Sequence, residues 1–409
     1  MQARNKPVIL FIAEAVTLAH FARIITLAKT LDPSVYEVVI ASDPRYARLE
    51  GLLDGAFRPI HSISSEEFAQ ALTRGKPLYS VETLSQYVED DLALLDSLKP
   101  NLVVGDFRLS LAVSAPLHKV PYAAVANAYW SPFAEIMYPV PSLPVTRILG
   151  VSLAQALFNT VRPIVFALHA HPLNVVRHRY GLSTLGSDLR NIYTWGNYTL
   201  YADIPELIPM SSLPSRHTYL GPVLWSTSMP LPDWWSHLPR DKPVVFLTLG
   251  SSGHANLLPM VLAALSRLPI TVIAATAGAV ALTDVPANAY VSNYLPMKLA
   301  TERSILVICN GGSLTTYQAL ANWVPVIGLC SNMDQLLNMG AVESLGAGVL
   351  LRAADVSSAG VMEAVTTILN NSSYAQKAGQ LGQILQQYDI GKRFREIVAE
   401  IISKGEELT

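Results

Sequence analysis

Cysteine is nearly absent. Only Cys309 and Cys330 occur in 409 residues, which excludes a disulfide-stapled scaffold and fits a reducing compartment. Charge is also sparse. Charged residues make up 15% of the chain, against about 25% in an average soluble domain. No basic excess exists: 29 Lys and Arg face 31 Asp and Glu, for a net charge of -2, which argues against a nucleic-acid binder. Long uninterrupted apolar runs are missing as well. The longest apolar region, Ile148 to Ala170, is broken by Asn159, Arg162 and Pro163. It is short of the ~20 continuous apolar residues that a membrane span needs. Near the N-terminus, Glu14 interrupts the apolar run Val8 to Ala13 and no small-residue cleavage pattern follows. A soluble, cytoplasmic protein is the expectation, with peripheral membrane contact left open.

What is present is apolar and periodic. Hydrophobic residues reach 51%, enough to bury large cores and exclude general disorder. Near-continuous apolar strands such as "KPVILFIA" and "YEVVIAS" alternate with segments of helical spacing, such as Leu18, Phe21, Ile24, Ile25, Ala28 and Leu31. That alternation predicts parallel sheets covered on both faces, in α/β doubly wound domains. Five prolines and no apolar periodicity mark a linker near 221–243, after which the alternation restarts. The expected organisation is a first domain over 1–222, a linker over 223–242, a second domain over 243–386, and a closing helix over 387–409 that packs back on the first domain.

Parallel sheets bind ligands at the carboxyl ends of their strands. In the second half, "TLGSSG" ends a strand with Gly250, Ser251, Ser252 and Gly253, a turn whose N–H groups and hydroxyls suit a phosphate. The strand "ILVIC" runs into Asn310, Gly311 and Gly312. Ser313 then begins a helix, with Thr315 in its first turn, and such a helix start attracts an anion. Neither a Walker loop nor a Gly-x-Gly-x-x-Gly fingerprint is found, so ATPase and dehydrogenase readings lose their main support. After the next strand, Asp334 and Gln335 open a helix beside the candidate cap Asn332.

These motifs resemble the donor-binding region of the UDP-glycosyltransferase-like family, inverting enzymes of GT-B fold. Tyr294-Leu295-Pro296, Gly311-Gly312, Thr316, Ala319-Leu320, Val324-Pro325, Asp334-Gln335, Asn338 and Gly346-Ala347-Gly348 follow the family order. The likeness spans nearly the whole chain and is looser in the first half. It implies two doubly wound, Rossmann-like domains facing across a cleft. It also implies transfer of a hexose from a UDP- or dTDP-sugar to a hydroxyl acceptor, with no cofactor beyond the sugar nucleotide. The diphosphate falls to Ser251, Ser252, Asn310, Gly311, Gly312, Ser313 and Thr315, the base to Tyr294 and Leu295, and the sugar hydroxyls to Asp334 and Gln335. The family's His before Gly-Gly is Asn310 here, which keeps a donor but never carries charge. His20 and Asp106 fill the places of the family's catalytic base and its orienting carboxylate, a pairing suited to deprotonating a hydroxyl.

The loop after "YAAVA" crowds Tyr129, Trp130, Phe133 and Met137 together, which suits an aromatic or apolar acceptor. Two rival readings stay open at this point: an epimerase of the same fold, and a non-catalytic sugar-nucleotide-binding partner, the latter motivated by Asn310. His169, His171 and His178 lack metal-ligand spacing and read as a basic patch with Arg177 and Arg179. Glu89-Asp90-Asp91 reads as a solvated helix face and not as a metal-binding signature, so no metal is expected.

Overall fold

The computed structural model describes residues 6–46, 56–142, 144–226, 229–250 and 253–406. Ser251 and Ser252 lie outside the described residues. In chain order the elements begin β1 (Val8–Ala13), α1 (Leu18–Ala28), β2 (Glu37–Ser42), β3 (Phe57–Pro59), α2 (Ser65–Arg74), α3 (Val81–Leu98), β4 (Leu102–Asp106), α4 (Leu111–His118) and β5 (Tyr122–Ala126). There follow α5 (Pro144–Arg179), α6 (Leu189–Tyr193), β6 (Tyr198–Tyr201) and β7 (His217–Tyr219). The second half holds β8 (Val244–Thr248), α7 (Leu258–Leu265), β9 (Thr271–Ala275), β10 (Ala289–Ser292), α8 (Met297–Glu302), β11 (Leu306–Cys309), α9 (Ser313–Ala321), β12 (Val326–Cys330), α10 (Met333–Ser344) and β13 (Gly348–Arg352). Three helices close the chain: α11 (Ser358–Asn370), α12 (Ser372–Leu385) and α13 (Ile390–Glu406).

The contacts divide the chain into two units: Met1–Glu135 with Leu157–Val223 and Tyr388–Thr409, and Ile136–Ala156 with Leu224–Gln387. The first unit carries a parallel seven-stranded sheet, β3-β2-β1-β4-β5-β6-β7. Its central strands are buried, as in Ile9 to Ala13 and Leu102 to Asp106, because helices cover both faces. On one face Phe11, Phe21, Ile24 and Ile25 pack with Phe394, Val398 and Ile401 of α13. The apolar spacing of 390–401 thus buries the last helix in the first unit's core. The second unit carries a parallel six-stranded sheet, β10-β9-β8-β11-β12-β13. In each sheet the strand order reverses at the first strand: between β1 and β4, and between β8 and β11. Such a switch point opens a crevice for a ligand.

The units differ from the expected linear boundary at 222. Residues 136–156 group with the second unit. There Tyr138 and Val140 are buried, and Arg352 Nη1 donates to the Val140 carbonyl at 2.8 Å. The apolar region Ile148 to Ala170 lies within α5, which is two helical stretches joined by a kink at Gly150, φ 73°.

Candidate active site

The switch point of the first unit places its chemistry. His20 stands in the first turn of α1, just past β1, and Asp106 is the last residue of β4. The two strands pair in parallel with Ala13 opposite Asp106, so residues 86 positions apart meet. His20 Nδ1 lies 2.7 Å from Asp106 Oδ1. Arg23, one turn after His20 on the same helix face, donates to the same carboxylate through Nε at 2.6 Å and Nη2 at 2.9 Å. Burial by itself would raise the Asp106 carboxyl. The charge of Arg23 and then that of His20, with hydrogen bonds from both, outweigh burial and hold it below the usual carboxylate range.

That ionised carboxylate decides the tautomer. Arg23 Nη2 also lies 3.0 Å from His20 Nδ1, which would require Nδ1 to accept. A carboxylate oxygen only accepts, so the shorter approach to Asp106 requires Nδ1 to carry the proton. The Arg23 distance is then a close approach and not a bond. In the neutral ring Nε2 then carries the lone pair, the form a general base needs. Arg23 Nη1 continues to Asn127 Oδ1 at 2.6 Å. Asn127 Nδ2 donates to Asp203 at 3.3 Å, which also accepts from the Ala128 N–H at 2.6 Å. Arg23, Asn127 and Asp203 were not singled out in the sequence. The available signal was a charged residue three positions after His20 on an otherwise apolar helix.

Phe107 follows Asp106 at φ 58°, a left-handed conformation that costs a non-glycine residue about 1–2 kcal/mol. The turn aims its ring flat against His20, centroids 4.9 Å apart and 5° from parallel. Tyr193 meets Phe107 edge-on at 5.2 Å, and Trp130 meets Tyr193 at 5.0 Å. Phe107, Trp130 and Tyr193 are each half-buried, so this aromatic surface beside His20 keeps exposed area.

The expected acceptor group is only partly assembled. Tyr129 is fully buried, because the short helical turn Ala128–Trp130 points neighbouring side chains in different directions. It belongs to the core and not to a ligand surface. Phe133 packs edge-on against His217 at 5.7 Å. Met137 is 74% exposed and falls in the other unit.

Just past the end of β4 lies a buried ionic cluster. Arg108 is fully buried and donates to Asp91 at 3.1 Å and to Glu14 at 3.3 Å, with Tyr87 under its guanidinium at 3.7 Å. Ser110 and Ser114 also donate to Asp91. Asp91 is therefore not part of a solvated acidic face. Helical spacing sets it with Leu84, Tyr87, Val88 and Leu95 on the buried side of α3. Burial raises the carboxyls of Glu14 and Asp91 despite the opposing charge of Arg108. Arg177, expected in a solvated or acceptor-facing basic patch, is likewise buried.

In the second unit, Gly250 ends the β8 turn at φ 62° and Gly311 ends the β11 turn at φ 82°. A Cβ on Gly311 would stand 2.7 Å from Cys330 Sγ and Met339 Cγ, so only glycine fits. Asn310 is buried and its Oδ1 accepts from the Gly312 N–H at 3.2 Å. Buried Asn338 donates to the Gly311 carbonyl at 2.8 Å and to Thr316 Oγ1 at 3.2 Å, fastening α10 to the same turn. Gly312 is the N-cap of α9 and brings no side chain to its first N–H groups. Ser313 is half-buried and Thr315 buried. On α10, Asp334 is half-buried, while Gln335 is buried with Oε1 accepting from Ser331 N–H and Oγ at 2.8 and 2.9 Å. Tyr294 is 48% exposed and donates to the Ala277 carbonyl at 3.1 Å, whereas Leu295 is buried. Among the described residues, no group of three or more His, Cys, Asp or Glu side chains is arranged to hold a metal.

Comparison with known proteins bears on this arrangement. A rhamnosyltransferase of PGL/p-HBAD biosynthesis from Mycobacterium bovis (strain BCG / Pasteur 1173P2) is 54% identical over 383 residues, covering 94% of this chain and 85% of that protein. The chain belongs to the UDP-glycosyltransferase-like family. A PGL/p-HBAD biosynthesis glycosyltransferase from Mycobacterium tuberculosis (strain ATCC 25177 / H37Ra) is 52% identical over 375 residues, covering 92% of this chain and 88% of that protein. Residues 259–387 match the erythromycin biosynthesis protein CIII-like C-terminal domain. The solved structure of the spinosyn forosaminyltransferase SpnP superposes with a TM-score of 0.71 at 18% identity, covering 98% of this chain and 100% of that one. The fold is GT-B and the protein is a glycosyltransferase.

Proposed function

We propose that this glycosyltransferase moves a hexose from a UDP- or dTDP-sugar to a hydroxyl of a small aromatic or apolar acceptor, with inversion, in the cytoplasm. The observation that carries the reading is the His20–Asp106–Arg23 constellation at one switch point. It commits His20 Nδ1 to Asp106 and leaves Nε2 as the ring nitrogen that can take a proton, beside half-buried aromatic rings. The acceptor oxygen attacks the anomeric carbon while His20 Nε2 takes its proton, and the bond to the diphosphate breaks in line. Asp106 stabilises the resulting imidazolium, and Arg23 fixes the carboxylate while offsetting part of its charge. The departing diphosphate meets the N–H groups that open α9, with Ser313. Fixed dipoles of this kind supply the largest single contribution in many such reactions. Tyr294 and Leu295 form the base-side turn, and Asp334 holds sugar hydroxyls with the amide end of Gln335. Phe107, Trp130 and Tyr193 form the acceptor surface, in place of Tyr129.

The direct test is incubation with UDP- and dTDP-hexoses, a rhamnosyl donor included because of the 54% identical relative, and with phenolic and aliphatic alcohols. Transfer with an inverted anomeric centre, read by proton NMR, is expected. Retention of configuration would overturn the mechanism. Nucleotide binding without transfer would favour the non-catalytic reading, and an isomerised sugar without acceptor would favour the epimerase.

Two further results are expected. Activity should survive excess EDTA, and loss restored by Mg²⁺ or Mn²⁺ would refute metal-independent transfer. Asn310→Ala removes a side-chain amide that would give the diphosphate one neutral hydrogen bond, a loss of about 0.5–1.5 kcal/mol. Nucleoside diphosphate binding, measured by calorimetry, should weaken roughly 2- to 12-fold. Unchanged affinity would detach Asn310 from the donor turn.

A further inference from the structure

The Phe107 ring is held by neighbours that all belong to the first unit. It lies flat against His20, centroids 4.9 Å apart and 5° from parallel. Phe68 meets the ring edge-on at 6.3 Å, Tyr193 meets it at 5.2 Å, and Tyr79 leans on it at 6.4 Å. Phe68 and Tyr79 are buried. On the next residue, Arg108 Nη1 donates to the His61 carbonyl at 2.7 Å, beside its bonds to Asp91 and Glu14. Packing on one side and ionic bonds on the other thus maintain the left-handed φ of 58°, and the ring is a fixed plate. Strain of this kind persists only where its surroundings over-determine it, and it clusters at functional sites.

His20 has use for such a plate. Its Nδ1 is held by Asp106 at 2.7 Å, but one hydrogen bond tolerates about 30° of misalignment. Rotation about the last side-chain bond of a histidine is also soft. A swing of that size carries the far ring nitrogen about 1 Å, and a misplacement on that scale costs a reacting group up to roughly 100-fold. The Phe107 ring closes one side of the swing. It also does what a saturated side chain does not: an aromatic face attracts a cation within about 6 Å of its centroid. The base form of His20 is neutral and becomes a cation as it takes the acceptor's proton. The attraction therefore grows toward the transition state, where it lowers the barrier. We infer that Phe107 is a positioning residue of the transfer reaction, holding the plane of the His20 ring and favouring its imidazolium. The inference rests on the reading of His20 as the general base. The part of Phe107 in the acceptor surface is read in the acceptor KM, and this second role is read in kcat.

The test compares phenol with para-nitrophenol as acceptors, with UDP-glucose and dTDP-rhamnose in turn as saturating donors. Phenol keeps its proton at mildly alkaline pH and needs a base, whereas para-nitrophenol is already largely ionised. Phe107→Leu stays close to the native volume and removes only the ring. It should lower kcat with phenol roughly 3- to 30-fold and leave kcat with para-nitrophenol near the parent value. Phe107→Tyr, which keeps the flat ring, should keep the phenol rate. Equal losses on both acceptors, or a Tyr variant as slow as the Leu variant, would overturn the inference. If His20→Ala separates the two acceptors and Phe107→Leu does not, only the role of Phe107 fails. If His20→Ala does not separate them, the general-base reading fails first. A second measurement needs no substrate. In protein labelled with carbon-13 histidine, the His20 ring signal is assigned by its loss in His20→Ala. The Phe107 ring current should displace it, and Phe107→Leu should return it toward the position of an unstacked histidine. An unmoved signal would show that the two rings do not stack in solution, and would overturn the inference even without any transfer.

Discussion

His20→Ala is expected to lower turnover roughly 10²–10⁴-fold while donor affinity stays near the parent value. The reason is positional. His20 Nδ1 is committed to Asp106 at 2.7 Å, so Nε2 is the only ring nitrogen left to take a proton. An acceptor hydroxyl is far too weak an acid to ionise unaided near neutral pH. The donor turns lie in the other unit and do not include His20, so binding and chemistry separate cleanly. Steady-state rates with saturating donor, beside calorimetric nucleotide affinity, form the measurement. Unchanged turnover would remove His20 from the mechanism. A matched loss of nucleotide affinity would mean that the substitution acts on the donor site.

Arg108→Leu is expected to destabilise the protein by about 3–5 kcal/mol, because it leaves two fully buried carboxylates without their shared cation. Glu14 and Asp91 are both buried, and burial already lifts their carboxyls above the ordinary values of 4.5 and 3.8. For an acid whose folded pKa is raised, the penalty is absent below the unfolded pKa. It grows as pH rises through the window between the two values. Removing Arg108 lifts the folded values further and widens that window upward. The gap in urea-unfolding free energy between variant and parent should therefore be largest near neutral pH and shrink as pH falls toward about 4.5. A constant gap across that range would show that lost packing over Tyr87, and not the charge, dominates. Turnover should also fall in Arg108→Leu, since Arg108 follows Phe107 and Asp106 directly on the turn that aims them.

The second unit was the more legible. Its turns are local: Gly311 and Gly312 sit next to the residues they position, at one short strand-to-helix junction. The site of the first unit was less so, since its parts come from distant segments. Arg23 reads as an ordinary helix residue until Asn127, 104 positions away, is brought to 2.6 Å. Phe107 reads as the residue after a strand, and only its left-handed backbone turns its ring onto His20. Tyr129 and Trp130 are adjacent in sequence, and nothing local says that the first enters the core while the second stays at the surface.

The sequence by itself determined the α/β class, the strand alternation that makes both sheets parallel, the apolar closing helix, and the Gly-containing turns after β8 and β11. These follow from periodicity and from backbone conformations that only certain residues adopt. Tertiary structure alone decided three things. It sent residues 136–156 to the second unit, it buried Asp91 and Arg177 where charge would suggest solvent, and it tied His20 to a carboxylate already clamped by Arg23. Each depends on which side chains a long-range strand register brings together, and local pattern carries no record of that.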